Sequence, residues 1–389
     1  MGGERVYRIS PAGAAQVRPL SRDGMRLVPV TSGGAGSEWV IDPIDLVVPV
    51  GALTLTTVDE RLLIGTRDLG TARYRDGDAH PRDWLRRKEM FDDATTLSVA
   101  CARERDCWIA TGAHQAWHWT GDSFVAGGPD QVVVAVVRDP AGPIYALHRG
   151  TSENELHLSR IDGTTWTAIS RVALTTPGTG PEVSFARFAT SGSLWVGLRY
   201  HDGVERRAYG IAILDTATGK TAYHRTEAAA GPADRKAAKM WPIPVGVVDA
   251  EVRGGKAWFA TNEGVARLAN GEVTVWTEAD GLRSELARAV TIAPDGNVII
   301  ATGAGAGVWN GTAWDFPPAL RFEINDVVAT RNGQIWMATE RGIAAWDGKK
   351  VRRVDMLRGL AENEVIDVTA DQFDRVWARG PGSLTLISQ

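Results

Sequence analysis

The 389-residue chain is 44% hydrophobic and sets 43 Lys and Arg against 47 Asp and Glu, a formal net charge of −4. So balanced a charge creates no global field that would gather nucleic acid or an anionic membrane surface, and neither is expected as a partner. No stretch approaches the ~20 apolar residues of a membrane-spanning helix; the longest near-candidate, 46–53, is interrupted by Pro49.

In chain order, residues 1–6 have no apolar core and no small-residue cleavage pattern, so no signal peptide is expected and the expected compartment is cytoplasmic. Residues 6–9 and 16–18 flank Pro11-Ala12-Gly13 and have the outline of an outer hairpin. Residues 21–50, with the Gly/Ser-rich run 32–37, read as an irregular connection. Trp84, Leu85, Lys88 and Phe91 have a helix-like spacing, consistent with a solvated loop or a short capping helix. Cys101 and Cys107 flank the turn 102–106. Facing positions in a hairpin can support a disulfide, but in a cytosolic chain two reduced, half-buried thiols are expected. At 226–243 an Ala-rich insertion places Pro232 at a first helical position, which predicts a loop and a short helix ending before Pro242.

The strongest signal is an internal repeat. Aligning on Trp336-Met-Ala-Thr339 gives eight copies, beginning at Leu63, Trp108, Tyr145, Trp195, Trp258, Ile299, Trp336 and Trp377. Their spacings of 45, 37, 50, 63, 41, 37 and 41 residues match the roughly 40–50 residues of a four-stranded propeller blade. Alternating apolar runs and turns lie upstream of most copies, and turn glycines recur downstream, so each unit reads strand, turn, strand, connection, strand, turn, strand. The expected fold is all-β: a single β-propeller domain over 1–389 with eight blades, seven being the runner-up. Its ring is expected to be closed by N- and C-terminal strands sharing one blade, since an open edge would otherwise remain.

The segment 280–290, followed by Pro294-Asp-Gly296 and Ile299-Ile-Ala-Thr302, resembles the two-component regulator propeller repeat, as do 358–365 and Trp377. The resemblance is good for units five to eight and looser elsewhere. It implies a ligand-sensing or protein-binding propeller. Such repeats commonly precede a membrane helix and a histidine kinase, whereas this sequence ends within its last blade, so a role other than transmembrane signalling is expected. Residues 258–273 also resemble repeats of streptogramin lyase-like propellers, which implies, as an alternative, a metal-dependent lyase or hydrolase with a histidine base and a divalent metal; otherwise no cofactor or metal is expected. Carbohydrate binding by exposed tryptophans is a further alternative.

In a propeller, the loops joining second to third strands share one face with the loops joining successive blades and surround the channel mouth. The candidate binding residues there are Arg67, His114, His148, Arg149, Arg199, His201, Asn262, Glu263, Arg283, Glu340, Arg341 and Arg379. Their mixed signs suit a partner protein presenting a charged peptide, or a small polar ligand, better than an apolar one. No catalytic residue is assigned: His114, His148 and His201 do not define a site by sequence, and phosphate loops, nucleophile elbows and Cys/His metal spacings are missing from the sequence. Scattered carboxylates such as Asp215, Asp249 and Glu251 read as structural. The expected role is a non-enzymatic propeller scaffold, a subunit of a larger assembly.

Overall fold

The structure is a computed structural model. It describes side chains over 97–121, 124–152, 155–172, 182–199, 210–224, 246–355, 360 and 362–387, and backbone alone for the strands between 6 and 85, for strand residues adjoining those ranges and for Lys239–Trp241. The chain divides into two compact units, Met1–Glu89 and Met90–Gln389.

In the N-terminal unit, Val6–Ser10 pairs with Val40–Ile44, and Ala15–Leu20 pairs with Gly24–Pro29, both antiparallel. The outer hairpin expected between residues 6–9 and 16–18 is therefore not formed, since Val6–Ser10 and Ala15–Leu20 pair with other strands. Ala52–Val58, Arg61–Thr66, Thr71–Arg75 and Asp83–Leu85 make a four-stranded sheet. The segment read as loop or helix thus begins with a strand, because Asp83–Leu85 pairs with Thr71–Arg73.

The larger unit is a β-propeller of seven sheets. Their inner strands are Ser98–Arg103, Val133–Arg138, Thr179–Thr190, Val247–Arg253, Ala287–Ile292, Asp326–Ala329 and Asp367–Ala370. Each pairs antiparallel with a second strand carrying one repeat copy, such as Ile335–Thr339. Alternation explains the burial: in Ile335–Thr339 every residue is buried, one set facing each neighbouring sheet. Trp336, Ala338, Val365, Val368 and Val376 fill the space between the sixth and seventh sheets, while Met337, Ile335, Ile299 and Ala301 fill that between the fifth and sixth.

The count of eight blades is corrected to seven. Every copy builds a sheet, but the sheet of the first copy lies in the N-terminal unit. The apolar residues of the seventh sheet, Trp377, Leu384 and Leu386, pack with Cys101, Cys107 and Ile109 of the second copy's sheet. Trp119 and Trp377 meet edge to face at 5.2 Å across this seam. The shared terminal blade is also absent among the described strands: the last sheet has three strands, ending at Leu384–Ile387, and the N-terminal strands pair among themselves.

Two further expectations change. Cys101 and Cys107 are directly opposed cross-strand partners and form a disulfide, not two thiols; such a bond is disfavoured in the reducing cytosol on which the thiol expectation rested. In the insertion, Lys239–Trp241 adds as a parallel fifth strand to Thr221–Thr226, so the short helix does not reach Pro242, and 227–238 lie outside the described residues. No helix among the described residues is long and apolar enough to cross a membrane.

Candidate functional site

The face expected to bind is assembled by a recurring local device. Thr261, Thr302 and Thr339 end their strands buried, and each hydroxyl donates to the carbonyl three residues on, at 2.8, 2.7 and 2.7 Å. That bond closes a two-residue connection whose third position must adopt positive φ. Gly342 does so at φ 99°, and a Cβ there would strike the Val354 carbonyl, so only glycine fits. The Gly342 amide donates to Asn363 O and the Gly264 amide to Glu285 O, both at 2.6 Å. Each within-blade loop is thereby pinned to a blade-to-blade loop on the same face.

Behind this face the inner strands surround a cavity of about 310 Å³. Its polar wall sets Arg149, Arg187, Arg199 and Arg288 against Glu182, Asp249, Asp326 and Asp367. Asp249 accepts from the Val290 amide at 3.0 Å and Asp326 from the Val368 amide at 2.9 Å, so each carboxylate also ties its inner strand to the next one. Ser98 does the same for Val136 at 2.9 Å. Arg187 reaches Asp249 and Glu251 at 3.8 Å each, and Arg379 pairs with Asp367.

Charge of both signs is concentrated here. Burial raises the carboxyls of Asp249 and Glu251 despite the Arg187 guanidinium between them. Burial likewise raises Asp367, against the pull of Arg379. Asp326 has no guanidinium of its own among its dominant influences: burial, then the carboxylates of Asp367 and Asp249, push it up to about 8. Burial opposes the charge of Arg187, but Asp249, Glu251 and Asp326 outweigh it and hold the guanidinium more firmly protonated.

Of the residues singled out by sequence, Arg149 and Arg199 line the cavity; Arg149 is exposed and Arg199 donates to Val248 O at 3.2 Å. Arg379 lies at the inner end of its strand, 4% exposed and held by Asp367. Asn262, Glu263, Glu340 and Arg341 are exposed in the two-residue connections. Arg283 is exposed, its guanidinium 5.5 Å from the Phe316 ring. His114 is half-buried, its carbonyl accepting from the Val133 amide. His148 is 5% exposed, with Nδ1 bonded to Arg149 O at 3.1 Å and Nε2 to Ser159 Oγ at 3.0 Å; burial lowers its pKa, which favours the neutral ring. Arg67 and the His201 side chain lie outside the described residues. No histidine lines the cavity among the described residues.

Sequence reading passed over Arg187, Arg288, Asp326 and Asp367, and took Asp249 as structural. One signal was available. Asp326 and Asp367 each precede their unit's anchoring tryptophan, Trp336 and Trp377, by ten residues, and Asp249 precedes Trp258 by nine. All three pair with the residue just before the fourth anchor position: Ala338, Arg379 and Ala260.

No protein-family model matches the chain, and no curated protein matches it. Solved structures do. The extracellular domain designated a hybrid two-component system protein of B. thetaiotaomicron aligns at 18% identity and TM-score 0.56, over 76% of this chain and 40% of that one. The chain thus spans well under half the length of that neighbour. YCF48 bound to D1 peptide aligns at 13% identity and TM-score 0.53, over 75% of this chain and 92% of that one. The WD40 propeller domain of Doa1 aligns at 13% identity and TM-score 0.51, over 76% and 92%. At these identities the likeness is one of fold, and the fold they share with this chain is the β-propeller.

Proposed function

We propose that the propeller is a binding module that takes a partner protein on the channel-mouth face, with a charged segment of that partner entering the cavity. The observation that carries this reading is the cavity itself: about 310 Å³, with four arginines and four carboxylates on its wall. A rigid concavity lined by both signs of charge gives orientation and selectivity to a polar segment and rejects an apolar one. The exposed Asn262, Glu263, Glu340 and Arg341 around it supply a rim. Neighbours of the same fold include one with a bound peptide and one from a sensory system, which supports binding or sensing over chemistry. A small polar ligand taken in the same cavity is the form the reading takes if the module is a sensor.

The test is recovery of partners on tagged full-length protein at native expression, compared with an Arg149→Glu variant. Arg149 is exposed at the cavity, so reversing its charge leaves the core intact. A partner recovered by the native protein and reduced about tenfold or more by the variant, as loss of a rim-to-cavity charge contact worth ~1.4 kcal/mol requires, supports the reading. Equal recovery by both proteins refutes the placement of the site.

A further inference from the structure

The contact between the first and seventh sheets contains a group of side chains that propeller packing does not require. The Cys101–Cys107 disulfide is fully buried on the first sheet. Against it, from the seventh, lies Arg375, whose Nη2 is 3.6 Å from Cys101 Sγ and 3.5 Å from Cys107 Sγ. Asp371 Oδ2 accepts from Arg375 at 2.7 Å and from Trp377 Nε1 at 3.0 Å, and sits 3.7 Å from Cys101 Sγ. Arg375 also donates to the Glu104 carbonyl in the turn between the two cysteines, and Gln372 Nε2 donates to Cys101 O at 2.6 Å. The guanidinium lies among the rings of Phe373, Trp119 and Trp377, at 5.2, 5.5 and 5.8 Å.

From this geometry we infer that Cys101–Cys107 is a reversible redox site, whose thiol state is read by Arg375 and Asp371 and sets the tightness of the contact between the first and seventh sheets. A disulfide six residues apart on a hairpin that is already paired restrains little chain, so anchoring the fold is a weak reason for it. Its surroundings instead match the two species that reduction creates. Cys101 as a thiol has the Asp371 carboxylate as acceptor, and Cys107 as a thiolate has the Arg375 guanidinium as counter-charge, an arrangement that favours a thiolate. With the disulfide intact the sulfurs carry no charge, and Arg375 is held by the Asp371 carboxylate and the Glu104 carbonyl. On reduction, Arg375 divides between Asp371 and Cys107, and its bond to the Glu104 turn competes with that division.

The step balances with an external dithiol as reductant. One of its thiolates attacks a cysteine sulfur, the Cys101–Cys107 bond breaks, and the mixed disulfide is resolved by the second dithiol sulfur. The dithiol leaves as its cyclic disulfide, Cys101 keeps one proton, Cys107 remains a thiolate, and the other proton is released. The same three side chains, Cys101, Cys107 and Asp371, have ligand atoms close enough to hold a metal ion once reduced. Arg375 argues against that, since its positive charge lies against both sulfurs.

The experiment is a native-state titration of the full-length protein in mixtures of oxidised and reduced dithiothreitol, with acid quench, alkylation and mass counting of thiols. Hydrogen exchange is then measured on the two end states. Conversion between zero and two thiols is expected without loss of the cooperative unfolding transition. Exchange in 98–110 and 371–379 is expected to rise at least tenfold on reduction, with 298–309 unchanged. Arg375→Gln is expected to slow alkylation of reduced Cys107 at pH 7 about tenfold, the change that one unit of lost thiolate stabilisation gives. Reduction only in denaturant overturns the inference. So does equal exchange of 371–379 in both states, or stoichiometric metal on the reduced protein. These readouts need only the native sequence, so they stand if the variant fails to fold.

Discussion

At Asp326 burial and the neighbouring carboxylates act together against ionisation. Its carboxyl accepts from the Val327 and Val368 amides, yet burial and the charges of Asp367 and Asp249 push it up to about 8. The folded state therefore holds a proton that the unfolded chain has released above its ordinary value of 3.8. Between those limits the folded state binds more protons, so this group's contribution to stability is full at acid pH, falls as pH rises, and is gone once pH passes about 8. Asp326→Asn removes the charge and keeps one oxygen for the Val368 amide, while the Val327 amide loses its acceptor. The variant's melting temperature relative to the native protein's is therefore expected to rise between pH 5 and pH 9, by about 1–2 °C for each ~1 kcal/mol in a domain of this size. Calorimetry at both pH values checks this; a difference that does not rise between them would show that the ionised carboxylate is held by favourable contacts. Asp139 runs the other way. Burial opposes its ionisation, but the Ala141 and Gly192 amides outweigh burial and keep it below the ordinary value. Its share of stability is present above the ordinary value and is lost as pH falls through its lowered folded-state range.

At the level of the repeat element, one letter in the anchor carries two different physical roles. Thr302 is buried, its hydroxyl donating to the carbonyl of buried Gly305 at 2.7 Å and accepting from the amide of exposed Ala304 at 3.1 Å. Thr302→Val leaves that amide and carbonyl without partners and is expected to cost about 1–3 kcal/mol. Thr111 occupies the same anchor position and is equally buried, but its hydroxyl has no hydrogen-bond partner among the described residues. Thr111→Val is expected to be neutral or stabilising, since it removes a buried polar atom that gains nothing. Urea unfolding of the two variants decides it, and equal losses would mean that Thr111 bonds to water. Trp108-Ile-Ala-Thr111 and Trp258-Phe-Ala-Thr261 are nearly the same string, so the second strand of each unit was legible from sequence. The connection that follows was not: 112–115 is a longer loop before Ala116, whereas the turn after Thr261 is two residues. The site divides in the same way. Arg149 and Arg199 stand next to anchors and were found by alignment to them. Asp326, Asp367 and Arg187 lie on inner strands, where a polar residue in an alternating pattern looks like an ordinary half-exposed strand position. Only the channel gives these residues neighbours.

For the whole molecule, the sheet built by each repeat copy was legible, whereas the number of blades and the two N-terminal two-stranded sheets were not, and the reason is physical. A four-stranded antiparallel sheet is made of contacts local in sequence, so each repeat copy announces its own. Which sheets share a propeller depends on a contact between its first and last members, here Trp377 against Cys101, Cys107 and Ile109, more than 260 residues apart. No periodicity encodes that contact, since every copy offers a similar apolar face. The packing yields a prediction that the repeat count alone would reverse. If eight copies formed one ring, removing the first would open it, exposing Trp377 and leaving the cooperative transition broad or absent. Because the seven-sheet unit contains its own first-to-last contact, the chain 90–389 is expected to fold by itself. It should unfold in one cooperative step, with a urea m-value scaled to its shorter length and the near-ultraviolet signal of the edge-to-face pair Trp119 and Trp377 retained. Trp377→Ala in the same chain is expected to cost about 3–5 kcal/mol, as truncation of a fully buried tryptophan does, and to remove that signal. A chain 90–389 that is molten or aggregates would return the sheet of 52–85 to the propeller. A cooperative one whose stability is indifferent to Trp377 would mean that the first and seventh sheets are held together by something other than this contact.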